Sequence, residues 1–224
     1  MGTLKATSSI LVLLVFLVGC GGGPRDARRE LSQSGVQWSV PVFLESAQGG
    51  DVLVVELFLG GGMNPNATGD FGLTALMHAA LTGQTGVMKT LLNAGGDVNR
   101  KASDGLTALA LAAASGQTES VGFLIASGAE PNIKDNNGWT ALMYAAEAGN
   151  TDVVRTLLKS HADTGIQSND GMTALVLAKI QGHPEIVRML LLSKGTIKEN
   201  SREGASGSAQ DAVVATETKA KIDL

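Results

Sequence analysis

The chain has one cysteine, Cys20, among its 224 residues, so no internal disulfide can form and the fold must be held by packing. That count leaves the redox compartment open. Aromatic residues are only 4% of the sequence while glycines number 29, a balance suited to small-residue helix packing joined by tight turns. No long basic run occurs. With 17 Lys and Arg against 21 Asp and Glu, the net charge is -4, which argues against nucleic acid as a partner because phosphate binding needs clustered cations. Histidines number three, and His78, His161 and His183 fall at separate places on separate helices, too far apart to share a metal. The His183-Pro184-Glu185 run reads as a helix start, with proline in the first turn. The acids fall mostly at turns and caps, no serine is paired with a histidine, and no glycine-rich phosphate loop follows a strand. The expectation is a non-enzymatic protein without cofactor or metal.

Long apolar runs are also missing. The stretch Ile10 to Val18 is wholly apolar, but it falls well short of the roughly 20 residues a bilayer-spanning helix needs. It follows a segment with one base, Lys5, and no acid, so it reads as the core of a signal peptide covering residues 1–19. The sequence L-V-G-C at Leu17 to Cys20 resembles the bacterial lipobox. That resemblance implies cleavage before Cys20, lipid on its sulfur, and export through the inner membrane. Gly21 in place of aspartate favours, by the same resemblance, the periplasmic side of the outer membrane. Residues 20–38 then form a flexible tether with a possible capping helix, Asp26 to Gln33.

What the chain does have is a period. Thr74, Thr107, Thr140 and Thr173 are spaced by 33 residues, each followed two residues later by leucine and nine residues later by glycine. A fixed interval of this size signals a stack of small units, none able to bury its own apolar face. Each threonine suits a helix N-cap. The alanine pairs Ala79-Ala80, Ala112-Ala113 and Ala145-Ala146 let helices approach closely, and the glycines at 83, 116, 149 and 182 fit left-handed helix ends. A second helix follows in each unit, with Val87, Leu91 and Leu92 expected as its buried stripe.

The signature reads T-A-L-M-H-A-A at Thr74, T-A-L-A-L-A-A at Thr107, T-A-L-M-Y-A-A at Thr140 and T-A-L-V-L-A-K at Thr173. It resembles the ankyrin repeat, which implies an all-α repeat solenoid of about five helix-turn-helix units with short turn or β-hairpin loops. The units are 39–71 (degenerate, with Pro41 replacing the threonine), 72–104, 105–137, 138–170 and a final unit 171–201, which Lys179 marks as the end of the stack. Met77, Ala110, Met143 and Val176 stand where the family has a histidine, so apolar packing is expected there. His161 replaces a glycine and Gly165 an asparagine, which points to a weak join between the fourth and fifth units. The chain from Thr196, and the tail 202–224 in particular, reads as disordered, with Ala212 to Ile222 as a weak helix.

The resemblance also implies a binding face. In the family the residue before each threonine points into a concave groove, and here these positions are Leu73, Leu106, Trp139 and Met172. The positions before the inter-helix glycine join them, with Leu81, Ser115, Glu147 and Ile180 as the expected contacts. Arg100, Lys101, Lys134, Asp135, Gln167 and Ser168 would form a polar rim. An apolar stripe with a polar rim has the anatomy of a protein-binding site. The expected function is therefore a scaffold on the bacterial envelope, itself monomeric, that binds an exported or envelope protein. A spacer without a partner and an inhibitor or immunity-type protein are the alternatives.

Overall fold

The computed structural model describes residues 23–203. The lipobox with Cys20, the signal peptide and the segment containing Ala212 to Ile222 lie outside these residues.

Among the described residues there are eleven α-helices and one isolated antiparallel bridge, Thr68 to Thr74. A first helix, α1 (Pro24–Gln33), precedes five helix pairs. The pairs are α2 (Val40–Gly49) with α3 (Val52–Gly60), α4 (Ala75–Thr82) with α5 (Thr85–Asn93), and α6 (Ala108–Ala114) with α7 (Thr118–Ala126). Then come α8 (Ala141–Ala148) with α9 (Thr151–Lys159), and α10 (Ala174–Ile180) with α11 (Pro184–Glu203). Each first helix packs on the next first helix and each second helix on the next second helix, giving an all-α, two-layer repeat stack. No described helix is long and apolar enough to cross a membrane.

Local chemistry explains the pairs. Thr74, Thr107 and Thr173 accept hydrogen bonds from the backbone N–H three residues on, at 3.2–3.3 Å, which starts α4, α6 and α10. Thr140 makes no such side-chain bond, although it is as buried as Thr74 and Thr107. Where the family's histidine is replaced by Met77, the thioether sulfur accepts the Thr74 N–H at 3.4 Å. The first helices then meet through alanines with no exposed surface, Ala79 and Ala80, Ala112 and Ala113, Ala145 and Ala146. These small side chains bring that layer into closer contact than the second helices.

The buried stripe of the second helix differs from the expectation at one position. Val87, Met88 and Leu91 are fully buried in α5, whereas Leu92 is half-buried. Leu92 sits beside the stripe and packs only partly against the core, as do Ile125 and Leu158 in later units.

Two side-chain ladders bind the units along the stack. Asn66 Oδ1 accepts the Asp97 N–H at 2.8 Å while its amide donates to the Gly95 carbonyl at 3.2 Å, and Asn99 repeats both bonds one unit on. Asn132 Oδ1 accepts from Asp163. Gly165 ends this ladder because it has no side chain to bond the following unit, whose α11 continues past Thr196 to Glu203. That helix corrects the reading of disorder over residues 196–203 only; residues 204–224 lie outside the described residues. His161 takes the left-handed conformation of the glycines it replaces, with φ 59°. The fourth and fifth units are nonetheless joined by Arg155 to Glu185 at 3.3 Å and by His183.

His183 belongs to the second ladder, with Gln84, Gln117 and Asn150. Each of these side chains lies against the left-handed glycine of the preceding unit. Asn150 donates to the carbonyls of Ala113 and Ala114, and His183 Nε2 lies 3.1 Å from the Glu147 carbonyl oxygen. At Gly149, with φ 77°, a Cβ would stand 2.6 Å from the His183 ring. Gly149→Ala should therefore lower the unfolding free energy by about 1–2 kcal/mol. Gly122 is the control: it sits inside α7, and a Cβ there would meet nothing within 4 Å. Gly122→Ala should raise stability by about 0.5–1 kcal/mol, both read by urea denaturation.

The two ends of the stack differ. α1 covers the first unit, burying Leu31 against α3, with the Arg28 guanidinium 4.6 Å from the centre of the Trp38 ring and its Nε donating to Gly61 O. At the far end Val176 and Leu191 are 37% and 51% exposed. Their counterparts one unit earlier are less exposed: Met143 is buried and Leu158 half-buried.

Candidate partner-binding face

The loops between units fold as fingers of one design. The backbone N–H of Gly69, Ala102, Asp135 and Ser168 donates to the carbonyl of Leu73, Leu106, Trp139 and Met172, at 2.8–3.0 Å. Fingers then bond to one another: Ser103 N–H to Phe71 O, Asn136 N–H to Asp104 O, and Asn169 N–H to Asn137 O. This puts Leu73, Leu106, Trp139 and Met172 at equivalent places on successive units. All four are half-buried, resting on the core with part of each side chain accessible.

The remaining sequence-chosen residues divide. Leu81, Ser115 and Ile180 are exposed, and Glu147 is half-buried. Two expected rim residues are not rim at all. Ser168 is buried and its Oγ accepts the Met172 N–H, while Asp135 Oδ1 accepts the N–H groups of Asn137 and Trp139 at 2.9 and 2.7 Å. Both side chains close fingers. Lys101 is partly committed as well, its Nζ donating to the Lys134 carbonyl at 2.7 Å.

A column that the sequence reading passed over lies between these sets. His78, Leu111 and Tyr144 are four residues after their threonines and half-buried, one helical turn before Leu81, Ala114 and Glu147. Helical spacing from the threonine was the signal that could have found them. Tyr144 packs on Trp139 with ring centres 5.0 Å apart and donates its hydroxyl to Asp135 Oδ2 at 2.6 Å. Burial pushes the Tyr144 phenol well above its ordinary range, helped by the Asp135 hydrogen bond and by the negative charges of Asp135, Asp104 and Glu147.

The sequence reading also missed Phe71. It holds a left-handed backbone, φ 58°, at the tip of the first finger with 79% of its surface exposed. Asp104, Asn137 and Asp170 occupy that place on the other fingers.

His78 carries a mismatch. Its Nδ1 is buried with no hydrogen-bond partner, and burial lowers its pKa from 6.5. The unfolded chain therefore binds the proton more readily than the fold does. Stability should be complete above the unfolded value near 6.5 and decline as pH falls below it. His78→Leu, which copies Leu111 and Leu177, should lose less stability between pH 7.5 and 5 than the parent chain, and thermal unfolding at the two pH values tests it.

Among the described residues no group of His, Cys, Asp and Glu is placed to hold a metal. An open depression of about 330 Å³ lies away from the fingers, at the starts of α7 and α9, lined by Thr118, Asn150 and Asp152 among others. Its lining holds no nucleophile paired with a base.

No curated protein matches the chain. A family model described as Ankyrin repeats (3 copies) matches residues 43–135 and 119–202, most of the five helix pairs. With fingers, paired helices and ladders repeating at the same interval as that match, the chain belongs to the ankyrin-repeat family.

Proposed function

We propose that the chain is a non-enzymatic scaffold whose front face, built from the first helices and the fingers, binds another protein, and that lipid on Cys20 holds it at the bacterial envelope. The observation that carries the binding reading is the ladder Leu73, Leu106, Trp139 and Met172, one partly accessible apolar group in each of the second to fifth units, placed equivalently by the finger hydrogen bonds. Phe71 and Ile180, 79% and 64% exposed, extend it toward the two ends. A specific complex buries roughly 800 Å² on each partner, and five units offer a face of that order. The periplasmic side of the outer membrane is the proposed location, and the partner is an exported or envelope protein.

The test places a photoreactive amino acid at Leu106 in cells carrying the native envelope. One protein crosslinked in high yield, and not from a probe on the exposed back at Glu119, is the expected result. Crosslinks only to lipid or peptidoglycan from both positions would make the stack a spacer. Anchoring is tested separately: Cys20→Ser should abolish labelling by a radioactive fatty acid and move the protein from the membrane to the soluble fraction.

A further inference from the structure

The charge around the middle of the front face specifies what the partner brings to it. Trp139 and Tyr144 meet at an interplanar angle of 50°, making a corner whose aromatic faces are partly accessible. Glu147 follows Tyr144 by three residues on the same helix, on the same side. Asp104, at the tip of the preceding finger, uses Oδ1 to accept the Leu106 N–H. Its Oδ2 and the Glu147 carboxylate have no hydrogen-bond partner among the described residues. Asp135 adds a third negative charge beneath the Tyr144 hydroxyl. The charges acting on that hydroxyl are all carboxylates, and neither Lys101 nor Lys134 is one of them. On either side along the ladder stand Leu106 and Met172.

Aromatic faces attract cations through their quadrupole, and carboxylates at the edge of the same corner add Coulombic attraction. An apolar group from a partner would cover Trp139 but would leave these charges desolvated and unanswered, which is costly. An acidic group would be repelled. We propose that the partner segment seated on this face presents a lysine or arginine to the Trp139–Tyr144 corner, flanked by apolar side chains that rest on Leu106 and Met172. This inference rests on the front face being the partner site.

The experiment pans a library of random 12-residue peptides against the full chain in detergent. Enriched peptides should carry a lysine or arginine at a fixed place between apolar residues. Replacing that residue by norleucine should weaken binding about tenfold. The Glu147→Gln, Asp104→Asn double variant should lose the preference for a base with its thermal midpoint unchanged, because asparagine keeps the Oδ1 that accepts the Leu106 N–H and the Glu147 carboxylate makes no hydrogen bond. Raising salt from 0.15 to about 0.5 M should shrink the preference as screening tightens. Enriched peptides with no base, or a preference that survives the double variant, would overturn the inference and leave the binding face standing. No enrichment at all would overturn both.

Discussion

Leu124→Ala should lower the unfolding free energy by about 2–5 kcal/mol and separate the unfolding of the two ends of the stack. Leu124 is fully buried in the third of five units, in a column with Leu91, Leu157 and Leu190. Removing its side chain leaves a cavity that cannot close easily, because Val121 and its neighbours on α5 and α9 are held by their own units. In a repeat stack stability is close to a sum of unit and interface terms, so weakening the middle weakens the coupling between halves. The protein reports on this itself. Its two tryptophans, Trp38 and Trp139, lie on opposite sides of Leu124, one beside the first unit and one in the fourth. Single-tryptophan forms made with Trp38→Phe or Trp139→Phe would follow each half during urea unfolding. In the parent the two midpoints should coincide; with Leu124→Ala they should part. A cost below about 1 kcal/mol with coincident midpoints would mean that the core is not continuous.

The architecture was legible in the sequence because it is written in columns. A threonine, a leucine and a glycine recurring at one interval specify a helix start, its buried contact and a left-handed end, each through local chemistry. The structure fills those roles except that Thr140 makes no side-chain capping bond, and the four glycines at 83, 116, 149 and 182 are all at positive φ. Less legible were positions whose role depends on what lies across a turn. Asp135 and Ser168 look like surface residues, but the N–H groups they bind appear only when the finger folds back. Met88 is buried and Leu92 half-buried because the second helix contacts neighbours on both sides, and one apolar stripe cannot describe two contacts. His183 looked like a simple helix start, and its bond to the Glu147 carbonyl spans 36 residues. The extension of α11 past Thr196 escaped because its residues are polar and lie beyond Leu190, the last of the leucine column.

Phe71 illustrates what pattern reading cannot supply. The other fingers place aspartate or asparagine at the tip, residues that suit turns by bonding their own backbone. Phenylalanine in the left-handed region costs about 1–2 kcal/mol and leaves a large apolar surface in water. Neither serves the stack. Strain with exposure at the edge of the proposed binding face is the arrangement expected where stability yields to recognition.

Trp139→Ala combined with Met172→Ala should weaken binding of the crosslinked partner by at least about 30-fold, since central aromatic anchors commonly carry 2 kcal/mol or more. The two residues belong to adjacent units, and both rest partly on the core, so some loss of stability accompanies the change. Binding must therefore be compared at a temperature where both proteins are folded, with circular dichroism as the check. A second pair separates anchoring from folding. Leu191→Ala with Leu192→Ala removes comparable apolar surface from the end of the stack, away from the fingers, where both residues are exposed. That variant should bind as the parent does. The contrast rests on the Trp139 environment: its ring is held by Tyr144, which Asp135 holds in turn, so the anchor is ordered before any partner arrives. Equal binding by the parent and the Trp139, Met172 variant, both folded, would remove the ladder from the interface.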